Sequence, residues 1–342
     1  MSRCLTALAL QGGGALGAYE FGVLKALHER DDWRLDAVSG VSIGAVTAAV
    51  LIGARGEPIA TLAAMWDQLA LSPSPLVPEA FQANQGLFAN PAMYRLDPAW
   101  LVSPWLTTHV YDTTPLRESL ERWVDVERLN ASPVRVTVTA VDVESGELVE
   151  FDNHRGLTLE HILASASLPP GFPATTLDGH HYWDGGLVSN TPLRSAIDAL
   201  ESLAPGDGEV QRELIVIDAF RQHAPAPRQF LDVVERAFEI NFASKLKLDL
   251  KLLRRINDLI ELVEAMESAL PEDSPIRRRP AYRRLLGYRH IDRLWVIGNR
   301  DADDSGPADF SPAAIRRRIA NGYRDARRSR RPNGTHGDSD GT

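Results

Sequence analysis

The pentapeptide Gly40-Val41-Ser42-Ile43-Gly44 closes a short apolar run, residues 36–41 (DAVSGV). It opens a stretch rich in Ala, Val and Ile from Gly44 to about Leu51. That order predicts a buried strand, a tight turn and a helix. A serine between two glycines at such a turn is the pattern of a nucleophile elbow. The serine stands at the apex of a strained turn, and a Cβ at the flanking glycines would strike neighbouring backbone. Upstream the same order occurs: residues 5–10 (LTALAL) are apolar, Gln11-Gly12-Gly13-Gly14 interrupts them, and Phe21, Leu24, Ala26 and Leu27 recur at helical spacing over 18–29. Two consecutive strand–turn–helix units predict right-handed crossovers, hence a mostly parallel sheet with helices on its faces.

Working outward, residues 116–124 read as a helix. Residues 134–143 (VRVTVTAVDV) read as a strand, with 146–153 (GELVEFDN) as its hairpin partner. A helix over 157–167 stops at Pro169-Pro170-Gly171, and ELIVIDAF (213–220) is a buried strand. From Phe230 to Met266 an i, i+3/i+4 apolar course runs without a proline, which predicts one long helix or two collinear ones. LWVIGN (294–299) reads as a late strand rejoining the sheet, and a last helix covers about 311–328. The expected organisation is an α/β body over 1–225, a helical extension with one returning strand over 226–330, and a disordered tail over 331–342. Residues 72–114 are rich in proline and carry Phe81, Phe88, Tyr94, Trp100 and Trp105, which look exposed. They read as a cap, either packed on its own domain or facing lipid.

The chain has 342 residues and a net charge of −9, with one cysteine and 24% charged residues. A single cysteine excludes a disulfide framework and a thiolate zinc site. Cys4 reads as a buried, inert thiol. The acidic balance excludes nucleic-acid binding through overall charge. No run approaches a membrane span, and the N-terminal apolar run is too short for a signal peptide, so a cytoplasmic location is expected. The charge is uneven. Residues 316–342 hold eight Arg against three Asp, a net +5, which leaves −14 on residues 1–315. That basic end reads as a patch that either docks weakly on anionic lipid, giving peripheral membrane contact, or binds nothing specific. The helix of 228–270 is the surface expected to serve a homo-oligomer.

Two chemistries compete for the glycine-rich turn. Gly12 to Gly17 fits G-x-G-x-x-G after a strand, the arrangement that cradles a dinucleotide pyrophosphate, so an NAD(P)-binding oxidoreductase is one reading. It wants an acidic residue at the end of the second strand. Here Asp36 stands at the start and Ser42 at the end. Turns after adjacent parallel strands lie side by side, so the Gly12, Gly13 and Gly14 amides can face Ser42 as an oxyanion hole. A serine also needs a base. None of the nine histidines has a recognisable base context, His180 and His181 included, and adjacent strand residues point to opposite faces, against a metal site. Asp184, followed by Gly185 and Gly186 after HYW, is the remaining candidate.

These motifs together resemble the patatin-like phospholipase family. The resemblance runs from Leu5 to about Pro192, through QGGGALGAY, GVSIG, ASASLPPGFP (164–173) and DGGLVSNTP (184–192). It implies a three-layer α/β/α fold and a Ser–Asp dyad without histidine or cofactor. Ser42 is then the nucleophile and Asp184 the base, with Gly12, Gly13 and Gly14 at the oxyanion and Gly17, Gly40, Gly44, Gly185 and Gly186 as motif glycines. Gln11 departs from the Asp common at that place. The segment after about 225 resembles an extension in a bacterial branch of the family. The implied activity is hydrolysis of lipid or lipid-like acyl esters. A non-catalytic lipid-binding protein that keeps the motifs is the third reading.

Overall fold

The computed structural model describes residues 3–72, 86, 89–204, 210–221, 224, 226–300, 306–329 and 331. The strands are β1 (Cys4–Leu10), β2 (Ala37–Gly40), β3 (Arg95–Leu96), β4 (Tyr111–Asp112), β5 (Arg135–Asp142), β6 (Leu148–Asp152), β7 (Thr175–Leu177), β8 (His180–Asp184), β9 (Gln211–Asp218) and β10 (Arg293–Gly298). The helices are α1 (Gly17–His28), α2 (Ile43–Gly53), α3 (Pro58–Leu69), α4 (Pro98–Val102), α5 (Thr114–Trp123), α6 (Val126–Ala131), α7 (Leu159–Ser165), α8 (Leu193–Leu203), α9 (Phe230–Ala269), α10 (Pro280–Leu285) and α11 (Pro312–Arg328).

The central sheet runs β10-β9-β1-β2-β5-β8-β7, with β6 also on β5. The run from β10 to β5 is parallel. Alternation sets the layers. Leu8 and Leu10 of β1 pack with α1, α2 and α3 on one face, while Leu5, Ala7 and Ala9 pack with α8 and α9 on the other. Residues beyond 225 belong to this architecture. β10 extends the sheet beside β9, and α11 lies along α1.

One detail of register positions the chemistry. Thr137 and Val138 of β5 pair with β2 on one side and β6 on the other. Ala140 and Val141 pair with β6 and β8. The strand β8 therefore takes the side of β5 that β2 leaves at Gly40. Asp184, opposite Ala140, ends just beyond the turn that carries Ser42.

Three expectations change. Tyr94 is buried at 6% exposure, because its ring packs on Tyr111 and Phe172. Cys4 is half-buried, since it begins β1 rather than lying within it. The basic end is in part built into the fold, while Arg316, Arg317, Arg327 and Arg328 stay exposed. Arg318 is 2% exposed and donates to the Asp309 and Gly306 carbonyl oxygens at 2.8 and 2.9 Å. Arg331 pairs with Asp32 at 2.7 Å and with Glu213. Counting charge along a sequence cannot see that Arg318 and Arg331 are consumed inside the fold. Phe81, Phe88 and residues 332–342 lie outside the described residues.

Candidate active site

Ser42 stands between β2 and α2 with φ 56° and ψ −125°, a left-handed conformation that a side-chain-bearing residue adopts only at a cost. The surroundings impose it. A Cβ on Gly40 would come 2.4 Å from the Gly44 carbonyl oxygen, and one on Gly44 would come 2.6 Å from those of Leu10 and Gln11. Only glycine at both places lets the turn fold this tightly. The Ser42 N–H is fixed by the carbonyl oxygen and the hydroxyl of buried Ser165, each at 3.1 Å.

Ser42 and Asp184 line the same cavity. Asp184 is 2% exposed, and its Oδ1 accepts the Gly186 N–H at 2.8 Å. Burial pushes its carboxyl up from the ordinary value to about 6, while the neighbouring Ser42 side chain and the Gly186 N–H act to lower it. Gly185 lies against Thr139, where a Cβ would come 2.5 Å from the carbonyl oxygen.

The glycine-rich loop divides its amides. The Gly12 N–H donates to the Asn190 carbonyl oxygen at 3.3 Å, so it is spent within the fold and drops out of the expected oxyanion set. Asn190 Nδ2 returns a bond to the Gly12 carbonyl oxygen at 3.1 Å. Gly13 and Gly14 line the same cavity as Ser42 and Asp184. Among the described residues no acceptor is paired with either of their N–H groups. Gly17 starts α1 against Ile43 and Trp66.

Gln11, the departure from the family pattern, is buried and ties three segments together. Its Oε1 accepts from the Ala219 N–H at 2.9 Å, its Nε2 donates to Thr191 Oγ1 at 2.7 Å, and its N–H donates to Glu20 at 2.6 Å. Burial holds the Glu20 carboxyl well above the ordinary range. These buried partners, with Ser165 and Asn190, were not foreseen; ASAS and SNTP mark their segments but not their bonds.

The cavity has a volume of about 290 Å³. Tyr94, Phe172, Phe220 and Phe310 line it, with Val234, Phe238 and Phe242 from α9. Among the described residues its charged wall residue apart from Asp184 is Glu239, which pairs with Arg221 and Arg236 at 2.8 and 3.1 Å. The long helix thus supplies one wall, which its apolar periodicity could not reveal. No histidine lines the cavity among the described residues. His180 and His181 are exposed beside Asp142 and Glu144. Asp142, Glu144 and His180 offer ligand atoms within 4.8 Å of one another, but this group faces solvent and none of the three lines the cavity.

The dinucleotide reading meets an obstacle at the turn itself. The Ala15 N–H, which a pyrophosphate at this helix start would use, donates to the Pro307 carbonyl oxygen at 2.9 Å.

The profile described as "Patatin-like phospholipase" matches residues 8–197, and one described as "Patatin phospholipase" matches 240–336. Among solved structures, VipD from Legionella pneumophila is 14% identical with a TM-score of 0.41, over 95% of this chain and 66% of that one. The ExoU–SpcU complex of the Pseudomonas aeruginosa type III secretion system is 20% identical with a TM-score of 0.34, over 73% of this chain and 52% of that one. The chain thus spans about two thirds of the first and about half of the second. The first profile covers more than half of the chain, with its matched span running from β1 through the Ser42 turn and Asp184 into α8, and the chain belongs to the patatin-like phospholipase family.

Proposed function

We propose that the protein is a serine acyl-ester hydrolase acting on lipid esters, with Ser42 as nucleophile and Asp184 as base. The observation that carries this reading is a strained serine beside a buried carboxylate, both lining one apolar cavity. As the Ser42 oxygen attacks the ester carbonyl, its proton passes to Asp184. The Gly13 and Gly14 N–H groups take up the charge on the carbonyl oxygen. Each such donor is worth about 10²–10³ in rate. The leaving alcohol carries away the proton from Asp184, and the acyl group stays on Ser42. Water then gives a proton to Asp184 and attacks the acyl-enzyme, and that proton returns to Ser42 as the acid departs. Residues 1–225 carry this chemistry in the proposal, and the 226–330 extension completes the cavity wall.

Burial supports the choice of base. At its ordinary value a carboxylate is a weak acceptor, and a value of about 6 brings Asp184 near working pH. The sign follows directly: the base must be ionised, so activity is lost as pH falls. With a soluble p-nitrophenyl ester, kcat/KM should be flat at high pH and fall about tenfold per unit below pH 6. A fluorophosphonate should attach to Ser42 with the same pH dependence. Labelling elsewhere, with wild-type turnover persisting after Ser42 is replaced, would falsify the assignment.

The α9 wall predicts chain-length selectivity. Phe238→Ala and Phe242→Ala lengthen the apolar space without touching Ser42 or Asp184. The kcat/KM ratio of a ten-carbon over a four-carbon ester should rise about tenfold, as the longer space buries about two more methylenes at about 0.8 kcal/mol each. A ratio that does not move would place the acyl chain against another wall.

A further inference from the structure

The segment between β3 and β4 is built as a finger. At its base the Arg95–Asp112 and Asp97–His109 pairs close at 2.8 and 2.9 Å. Between Asp97 and His109 no residue carries a charge: the sequence is PAWLVSPWLTT. The backbone is ordered by its own bonds. The Ala99 N–H donates to Asp97 Oδ1, the Ser103 N–H to the Ala99 carbonyl oxygen, and the Leu106 N–H to that of Ser103. The apolar side chains nevertheless point outward. Val102 is 83% exposed, Trp105 93% and Leu106 86%.

The finger is rooted in the cavity wall. The Val110 and Tyr111 N–H groups both donate to the Gly171 carbonyl oxygen, at 3.0 and 2.9 Å. The Tyr111 ring packs on Tyr94 and Phe172, and both of those line the cavity. From α9, Val234 and Phe238 line it too, and each remains more than a third exposed. Exposed apolar surface therefore accompanies the cavity at two of its walls.

We propose that this finger inserts its tip, Val102, Trp105 and Leu106, into the interface of an electrically neutral lipid bilayer and so presents the cavity to its substrate. This rests on the reading of the cavity as an acyl-ester site. Such a cluster in water is unfavourable, and burial in lipid removes that cost. A protein partner would be matched by a polar rim close around the apolar centre, whereas residues 98–108 of the finger carry no charge. Lipid suits it better. Tryptophan favours the headgroup boundary, and backbone groups already bonded to one another can enter that boundary without penalty. The absence of charge also distinguishes this docking from adhesion by a basic patch, because it predicts binding indifferent to salt.

The test uses the full chain carrying Ser42→Ala, so that vesicles are not consumed, and phosphatidylcholine vesicles in flotation. The parent should bind equally at low and high salt. Adding W105D and L106D should lower binding by about tenfold to a hundredfold, as two apolar side chains lose their burial. W105F with L106I should keep it. In the chain with native Ser42, W105D/L106D should leave turnover of a soluble four-carbon ester unchanged, which shows an intact fold. Unchanged flotation of the W105D/L106D chain would overturn the proposal. So would a parent that ignores vesicles and instead self-associates through the same residues. Finger-dependent flotation in a protein with no ester turnover would leave the finger standing and sink the hydrolase reading.

Discussion

Ser42→Ala lowers kcat for ester hydrolysis by a factor on the order of 10⁴–10⁶, the range seen when a nucleophile acting as a unit with its base is removed. Asp184→Asn gives a similar loss, because the amide cannot accept the proton and the serine remains a neutral alcohol. The two variants differ in stability, and that difference is the sharper test. Asp184 has a folded-state pKa raised by burial from the ordinary 3.8 to about 6. A raised carboxyl pKa means that the folded chain holds the proton more tightly than the unfolded chain. The contribution of this group to stability is therefore full in acid and is lost as pH rises from about 4 to about 6. Above pH 6 the site carries a buried charge at a net cost, and Asp184→Asn should raise Tm at pH 8 while leaving it unchanged near pH 3. Ser42 stores strain in its backbone, on the order of 1–3 kcal/mol. Ser42→Gly relieves it and Ser42→Ala does not, so the glycine variant should melt higher than the alanine variant although both are inactive. Equal melting of those two, with a Tm loss in Asp184→Asn at pH 8, would mean that neither residue is held at functional expense.

Much of this site is legible in the sequence because glycine reports local geometry. Gly40 and Gly44 bracket Ser42 at a distance the chain itself fixes, and the same holds for Asp184 before Gly185 and Gly186. The meeting of Ser42 and Asp184 is another matter. It depends on β8 taking over one side of β5 where β2 ends, a register set by pairing between strands far apart in the chain. No local pattern encodes that, and only the joint resemblance of the motifs pointed to it. Its place beside Gly13 predicts the Gly12 amide at the oxyanion, but the Asn190 carbonyl that takes it up comes from a segment far along the chain. The stripe on α9 is legible in the sequence as helical and apolar. A stripe facing a sheet and a stripe facing a cavity have the same period, so the role of Phe238 and Phe242 stayed hidden. In the segment of residues 94–105 the sequence could not separate Tyr94, which is buried, from Trp105, which is not. Both are aromatic residues in a proline-rich stretch, and ring packing alone decides between them.

The basic end gives the second large effect, and it falls on folding. Helix α11 lies along α1 with glycine on each side of the contact. A Cβ on Gly22 would come 2.1 Å from the Ile319 carbonyl oxygen, and one on Gly322 would come 2.0 Å from that of Tyr19. Neither helix can give way alone. Tyr19 donates to Asp325 at 3.2 Å, Trp295 Nε1 donates to Ser329 at 2.6 Å, and Ala314, Ile315 and Ala326 form part of the buried face of α11. Gly322→Val should therefore force the pair apart. Overpacking of this kind costs about 1–3 kcal/mol, and loss of the Tyr19–Asp325 bond at a buried site adds about 1–3 kcal/mol. The gain in helix propensity on replacing glycine recovers less than about 1 kcal/mol. The net, about 1–6 kcal/mol, should appear as a Tm lower by about 2–8 °C, since an unfolding entropy of about 2.1 cal/mol/K per residue gives a chain of 342 residues roughly 1.4 °C per kcal/mol. Truncation after residue 311 goes further, because it removes the whole helix and bares the α1 face, and the product should be insoluble. A truncated chain that stays soluble, melts cooperatively and turns over a soluble ester would restore the basic end as an appendage. If it instead fails to fold, truncation cannot test lipid docking by these arginines. Their substitution must then be confined to exposed members such as Arg316 and Arg317, with Arg318 left in place.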